Sequence, residues 1–159
     1  MMNQSSKTGF PYETLRTALE QTRQAIGARQ VMAADFSGNV LAIVPAGGER
    51  EAVLLGALGA GNLAAMDEML RLSGTRPKQD DPQTLIVEGM KGCLVLCRGE
   101  QGLIFIAALG AEGAIGLARL EIRQLAKTVW KEVEPASDEP AVLAVDLAQK
   151  FLDSLDAEL

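Results

Sequence analysis

Side chains able to act as catalytic nucleophiles, general bases or metal ligands are scarce in this sequence. Histidine is absent from all 159 residues, which excludes Ser-His-Asp and Cys-His nucleophile pairs and every metal site that needs an imidazole. The carboxylates Asp35, Asp67, Glu88 and Glu112 are scattered along the chain, and no two of them form a convincing acid–base pair. We therefore predict a protein without an active site, a metal or a cofactor of its own.

The two cysteines, Cys93 and Cys97, lie in the apolar run CLVLC, which is typical of a buried strand. Residues four apart on a strand point the same way but are about 13 Å apart. A disulfide needs Cα atoms within about 7 Å. The sequence therefore predicts two buried structural thiols, not a disulfide or a redox pair.

A run of glycine and alanine, GALGAGNLAAM at residues 56–66, does not have the spacing of a phosphate-binding or dinucleotide-binding loop. It lies inside a helix predicted over Glu49–Leu72, where each interior glycine costs about 1 kcal/mol relative to alanine. Gly56, Ala60 and Ala64 are four residues apart, which predicts a bare strip for close approach of another protein. Packing on the chain's own sheet is the alternative. The bulky residues expected to supply this helix's core contacts are Val53, Leu54, Leu58, Leu63 and Met66.

Composition narrows the class of protein further. Hydrophobic residues make up 48% and charged residues 23% of the chain, values typical of a globular domain. The formal net charge of −6 argues against a nucleic-acid binder, which needs a basic surface. The longest apolar stretch, 102–118, contains Glu112 and is too short to span a bilayer. Since the N-terminal residues also lack the apolar core of a signal peptide, we expect a cytoplasmic protein without membrane insertion.

Hydrophobic periodicity and glycine-containing turns predict the element order α-β-β-α-β-β-β-α. Tight turns between strands indicate antiparallel pairing, so we predict an α+β sandwich with a five-stranded antiparallel sheet. The predicted helices are 12–27, 49–72 and 115–133, and the predicted strands are 30–36, 40–44, 84–88, 93–98 and 103–108. The residues expected on the inner side of the last of these helices are Leu117, Leu120, Ile122, Leu125, Val129 and Trp130.

An acidic, proline-containing linker, 134–140, separates this domain from a second helical pattern over 141–159. Apolar residues recur there at four-residue intervals and predict one stripe along a helix. Such a stripe needs a surface, which could be the chain's own core or a partner protein. The stripe consists of Leu143, Leu147, Phe151, Leu155 and Leu159.

Several segments of the chain resemble the roadblock-type dynein light chain superfamily. They are VMAADFSGNVLAIVPAGG, LLGALGAGNLAAMDEMLRLSG, LIVEGMKGCLVLCRGEQGLIFIAALG and the closing helix IGLARLEIRQLAKTVWKEV. The resemblance covers residues 12–133, which we interpret as one roadblock-type domain followed by the linker and tail at 134–159. Within the superfamily, the pieces AGNLAAM and LARLEIR, together with the tail, are most similar to the bacterial MglB family.

The MglB-like resemblance implies a homodimer that binds an MglA-like small Ras-like GTPase in cell polarity and motility. It implies two sheets joined edge to edge through Thr84–Glu88 (Thr84, Leu85, Ile86, Val87, Glu88), with the long second helices side by side. It also implies that GTP hydrolysis is accelerated by stabilising the GTPase's active conformation, without an arginine finger. The GTPase-facing residues carried over are Ala57, Ala60, Gly61, Ala64, Asp67 and Glu68.

Two other functions are compatible with the same residues. A catalytically silent roadblock scaffold would hold a GTPase or motor component without affecting hydrolysis. A small-molecule sensor would need convergent polar groups in a pocket, for which the sequence offers no candidate cluster. The arginines that could be proposed as a finger are predicted to be solvated or helix-capping charges: Arg71, Arg76, Arg98, Arg119 and Arg123.

Overall fold

The computed structural model describes residues 11–75 and 82–133. Within these residues it has three helices and one five-stranded antiparallel sheet. The helices are α1 (Tyr12–Ile26), α2 (Glu49–Leu72) and α3 (Ile115–Val133), and the strands are β1 (Gln30–Asp35), β2 (Val40–Val44), β3 (Thr84–Gly89), β4 (Gly92–Arg98) and β5 (Leu103–Gly110). The predicted fold class and element order are confirmed, and every boundary lies within two residues of its prediction.

The sheet has the strand order β2-β1-β5-β4-β3, so β1 and β5 pair in its middle although they are distant in sequence. Their register places Gln30 opposite Ala108 and Asp35 opposite Leu103. The other pairs are hairpins between neighbours in the chain, as the tight turns predicted. The strands β2 and β3 therefore form the two edges of the sheet.

A buried carboxylate holds the turn between β1 and β2. Oδ1 of Asp35 accepts hydrogen bonds from the backbone N–H groups of Ser37 and Asn39, both at 2.9 Å. Its Oδ2 accepts a third from the Asn39 side chain at 3.0 Å. Gly38 takes a φ of +86°, a conformation that glycine adopts without steric cost. Asp35 thus has a structural role, since its carboxylate accepts hydrogen bonds from the donors of this turn.

Helices cover both faces of the sheet. α1 and α3 pack against each other and on one face, around a buried cluster that includes Leu19, Phe105 and Ile122. Among the described elements, α2 is the one helix on the opposite face, over a smaller cluster built on Met32, Leu63 and Ile106.

The prediction of which residues α3 buries was wrong for two leucines. Leu117 is 42% exposed and Leu120 is 64% exposed. Ala118, Ile122 and Leu125, together with Ala126 and Val129, form the buried side instead. A stripe centred on these residues places Leu120 on the outer face of α3. The Trp130 side chain lies outside the described residues.

Candidate functional site

The residues on the inner side of α2 are unusually small. Its buried residues are Ala52, Gly56, Gly59 and Leu63. Leu63 is the one large side chain among these four, and the half-buried Leu55 and Met66 pack against the same cluster. Small residues at a packing surface let the helix axis approach the sheet closely. The strands beneath this part of α2 are β1, β2 and β5.

Two of the three glycines in the run are explained by that close approach. A Cβ on Gly56 would lie 2.6 Å from the carbonyl oxygen of Gly38, and one on Gly59 would lie 2.7 Å from Cδ1 of Ile106. At Gly61 a Cβ would meet nothing within 4 Å. Gly56 and Gly59 therefore face the sheet, and Gly61 faces away from it.

The strip predicted to face a partner protein is therefore not exposed along its whole length. It consists of Gly56, Ala60 and Ala64. Gly56 is buried against the β1–β2 turn, Ala60 is half-buried, and Ala64 is exposed. The alternative interpretation, packing on the chain's own sheet, is correct for Gly56. The strip crosses obliquely from the sheet to the outside.

The outer side of α2 carries two adjacent flanks. We name Ala57, Gly61 and Ala64 the small-residue flank. All three were predicted to face a GTPase, and all three are exposed. Two other predicted residues, Ala60 and Asp67, lie half-buried at its border. The structure therefore brings the predicted residues to one side of α2, and their role in binding stays a prediction.

The second flank is bulky and was missed. Leu54, Leu58, Met69 and Leu72 are exposed by 61%, 63%, 69% and 71%, and with the exposed Ala65 they form what we name the leucine flank. Their spacings of four, seven and three residues repeat on one helix face. The expectation that Val53, Leu54 and Leu58 supply core contacts was wrong, since Val53 is also 57% exposed. Leu63 is buried and Met66 half-buried, as expected.

An ion pair anchors the C-terminal half of α2 to the sheet. Asp67 pairs with Arg98 at the end of β4, and the guanidinium also lies over the Phe36 ring, 4.9 Å from its centroid. Phe36 is 50% exposed. The carboxylate of Asp67 is thus engaged within the chain, and Phe36 adds an exposed aromatic ring next to this ion pair.

Glu68 has a partner on its own helix. Its carboxylate accepts hydrogen bonds from Arg71, with Nε of the arginine 2.8 Å from Oε2. These hydrogen bonds lower the pKa of Glu68 below its usual range. Both side chains are well exposed, so the pair is available to a partner protein. Arg71 and Arg98, two of the arginines considered as fingers, therefore each neutralise a carboxylate of this chain.

The predicted dimer edge, β3, is a sheet edge. Within the described residues it pairs with β4 alone. Thr84, Leu85 and Ile86 are half-buried, while Val87 and Glu88 are exposed. An apolar strand with a free edge is prone to pairing with another strand. Whether this edge pairs with a second copy stays a prediction.

The described residues offer little for catalysis. No group of His, Cys, Asp or Glu among residues 11–75 and 82–133 is placed to hold a metal ion. Both cysteines are buried and free, and burial raises the pKa of the Cys97 thiol to about 11. A thiol with such a pKa is protonated at neutral pH and a poor nucleophile.

Length and composition alone would allow α2 to cross a membrane, and it is the one such helix in the described part of the chain. Its inner residues, however, are buried against the sheet of the same domain. That is the position of a helix that belongs to a globular fold.

Solved structures share this arrangement of sheet and helices. MglB of Myxococcus xanthus matches with a TM-score of 0.69 at 19% sequence identity, over 87% of this chain and 98% of that chain. The gliding protein MglB of Thermus thermophilus matches with a TM-score of 0.68 at 25% identity, over 80% and 94%. A roadblock/LC7 domain from Streptomyces avermitilis matches with a TM-score of 0.62 at 16% identity, over 74% and 95%.

The chain has the roadblock-type fold. The resemblance to the roadblock superfamily, and within it to MglB, is therefore confirmed. No protein-family model and no curated protein matches the chain. The tail stripe of Leu143, Leu147, Phe151 and Leu155 lies outside the described residues, as does Arg76.

Proposed function

We propose that this roadblock-type protein is a homodimeric regulator of an MglA-like small GTPase in the cytoplasm. The observation that carries the proposal is the outer side of α2, where Leu54, Leu58 and Leu72 are each more than 60% exposed beside a flank of alanine and glycine. A continuous apolar surface of this kind on a folded domain is typical of a protein–protein interface.

The β3 edge, the leucine flank and the small-residue flank would have different roles in one assembly. In the proposed dimer, β3 edges pair and the leucine flanks of the two α2 helices contact each other. Main-chain hydrogen bonds between edge strands would then be combined with burial of large side chains. The small-residue flank remains accessible, and it lets a partner's backbone approach α2 closely.

In the proposed mechanism, this protein acts by positioning the catalytic groups of the GTPase. The small-residue flank supplies shape and apolar contact but no cation of its own, since Ala57, Gly61 and Ala64 have no charged atoms. The nearby arginines, Arg71 and Arg98, are paired with Glu68 and Asp67. A surface of this type would favour a GTPase conformation in which the GTPase's own groups are aligned for hydrolysis.

Binding to a purified MglA-like GTPase, loaded with a GTP analogue or with GDP, tests the proposal. We expect tighter binding to the GTP-analogue form and at least a tenfold loss of affinity for Ala64→Arg, because arginine would prevent close approach at the small-residue flank. The matched control is Thr17→Arg on the exposed side of α1, which should bind like the unmodified protein. Sedimentation and circular dichroism should show both variants folded.

The same experiment distinguishes a scaffold from a regulator. Equal affinity for both nucleotide states, with Ala64→Arg still weakening binding, would assign a scaffold role to this surface. Equal binding by Ala64→Arg and Thr17→Arg would contradict the placement of the GTPase on α2.

A further inference from the structure

The outer face of α3 is a second surface that the proposed function does not use. It forms a shallow groove of about 340 Å³ lined by Gly116, Arg119, Leu120, Arg123, Gln124 and Lys127. Arg119, Leu120 and Lys127 are exposed, and a Cβ on Gly116 would meet nothing within 4 Å. The groove thus combines an exposed leucine, a bare glycine and three basic side chains along one side of the helix.

The charge of the chain is divided unevenly. The sequence has 15 basic and 21 acidic residues, of which one basic and seven acidic residues lie in 134–159. That segment therefore carries a formal charge of −6, the whole net charge of the protein, and residues 1–133 are formally neutral. The acidic segment begins directly after α3, the helix that presents the basic groove.

The connection between α3 and the tail is short. Seven residues, 134–140, lie between α3 and the helical pattern predicted from residue 141 onward. Connections of about two to eight residues are usual between antiparallel helices. A helix that begins near residue 141 could therefore run back along α3, which has 19 residues.

We propose that residues 141–159 dock antiparallel on the outer face of α3 of the same chain. In this register the apolar stripe covers the exposed leucine, because Leu155 comes to the level of Leu120. The acidic residues flank the basic ones, since Asp156 comes to the level of Arg119 and Asp146 comes close to that of Lys127. This proposal stands independently of the proposed GTPase.

Docking has a regulatory consequence. While the stripe of Leu143, Leu147, Phe151 and Leu155 covers α3, it is withheld from any partner protein. Because the contact combines charge pairs near solvent with apolar burial, raising the ionic strength weakens it. A partner that binds the stripe must therefore compete with α3.

A distance measurement on the full chain tests the proposal. Spin labels are placed at Glu112→Cys, just before α3, and at Ala157→Cys, near the end of the tail; Cys93 and Cys97 are buried and react slowly. Packed helix axes are about 8–10 Å apart, so docking predicts one narrow distance peak below about 30 Å. Arg119→Glu/Lys127→Glu should replace it with a broad distribution at longer distances.

Charge swapping supplies the decisive comparison. Adding Asp146→Lys and Asp156→Lys to the Arg119→Glu/Lys127→Glu variant should restore the narrow peak. The matched control, Arg16→Glu/Arg50→Glu, changes the charge equally at exposed residues outside α3 and should leave the peak unchanged.

Three results would overturn the proposal. The first is a broad distribution in the unmodified sequence background, and the second is a narrow peak that the α3 charge reversal leaves intact. The third is loss of the short distance on dilution with unlabelled chain, which would place the tail on another molecule. That last result would assign the tail to α3 of a second copy.

Discussion

The three glycines of α2 make a graded test of how this helix sits on the sheet. Replacing glycine by alanine inside a helix stabilises it by about 1 kcal/mol through backbone propensity. The same methyl group costs about 1–3 kcal/mol where it must force a well-packed contact apart. The sign of the net change therefore reports whether the new Cβ faces open space or a neighbour.

The structure orders the three substitutions. Gly61→Ala adds a methyl group that meets nothing within 4 Å, so we expect the free energy of unfolding to rise by up to about 1 kcal/mol. Gly59→Ala meets the flexible end of Ile106 at 2.7 Å, and a small rotamer change should leave the net effect near zero. Gly56→Ala meets the Gly38 backbone oxygen at 2.6 Å, which cannot move alone, and should destabilise by about 1–2 kcal/mol.

Urea unfolding followed by circular dichroism measures these differences. All four proteins should be compared at the same low concentration, because a dimer adds a concentration-dependent term to stability. A stabilising Gly56→Ala, or a destabilising Gly61→Ala, would refute the orientation of α2. It would also remove the argument that the small-residue flank faces outward.

Three further outcomes follow from the same contacts. Asp67→Asn should lower the free energy of unfolding by about 1 kcal/mol. In the Arg98→Met background the same substitution should have no effect. An equal loss in both backgrounds would mean that the ion pair does not contribute to stability. Leu58→Asp should shift sedimentation towards the monomer without unfolding the domain, and an unchanged dimer would exclude the leucine flank from the interface. Burial raises the pKa of Cys97 to about 11, whereas an unfolded cysteine thiol has a pKa of about 8.5. The free energy gained by burying the neutral thiol is therefore complete at pH values below about 8.5 and is lost as the pH rises towards 11. Urea midpoints should thus fall more steeply over that range than in Cys97→Ala, and parallel curves would contradict the burial argument.

Local patterns were sufficient to predict the order of elements. The strands are short apolar runs bounded by glycine turns, and positions such as Gly38 and Gly102 adopt positive φ. Helix boundaries followed similarly, since Gly27 ends α1 in a left-handed conformation with its N–H bonded to Gln24. These signals depend on neighbouring residues and need no knowledge of tertiary contacts.

The rotation of α2 could not be predicted in the same way. A helix that is apolar on nearly all sides has weak periodicity, so Leu58 and Leu63 look equally suited to the core. What separates them is the close contact of Gly56 and Gly59 with the sheet, which depends on residues distant in sequence such as Gly38 and Ile106. The 54-58-65-69-72 spacing does mark a second apolar stripe in the sequence, but the spacing alone does not show which stripe faces the sheet.

The surroundings of Asp67 were hidden for a related reason. Its partner Arg98 lies on β4, and Phe36 lies in the turn after β1. Neither contact can be predicted from the local sequence, because both depend on the order of the strands in the sheet. The same order explains why β3 is an edge, which the sequence suggested through its resemblance to a known family.

We propose that the outer side of α2 binds a small GTPase and promotes its hydrolysis of GTP. The most direct measurement is GTP turnover by an MglA-like GTPase from the same organism, with and without an excess of this protein. We expect an acceleration of at least about tenfold, equivalent to about 1.4 kcal/mol of the activation barrier, and no acceleration by Ala64→Arg. Unchanged turnover with the unmodified protein would contradict the proposal.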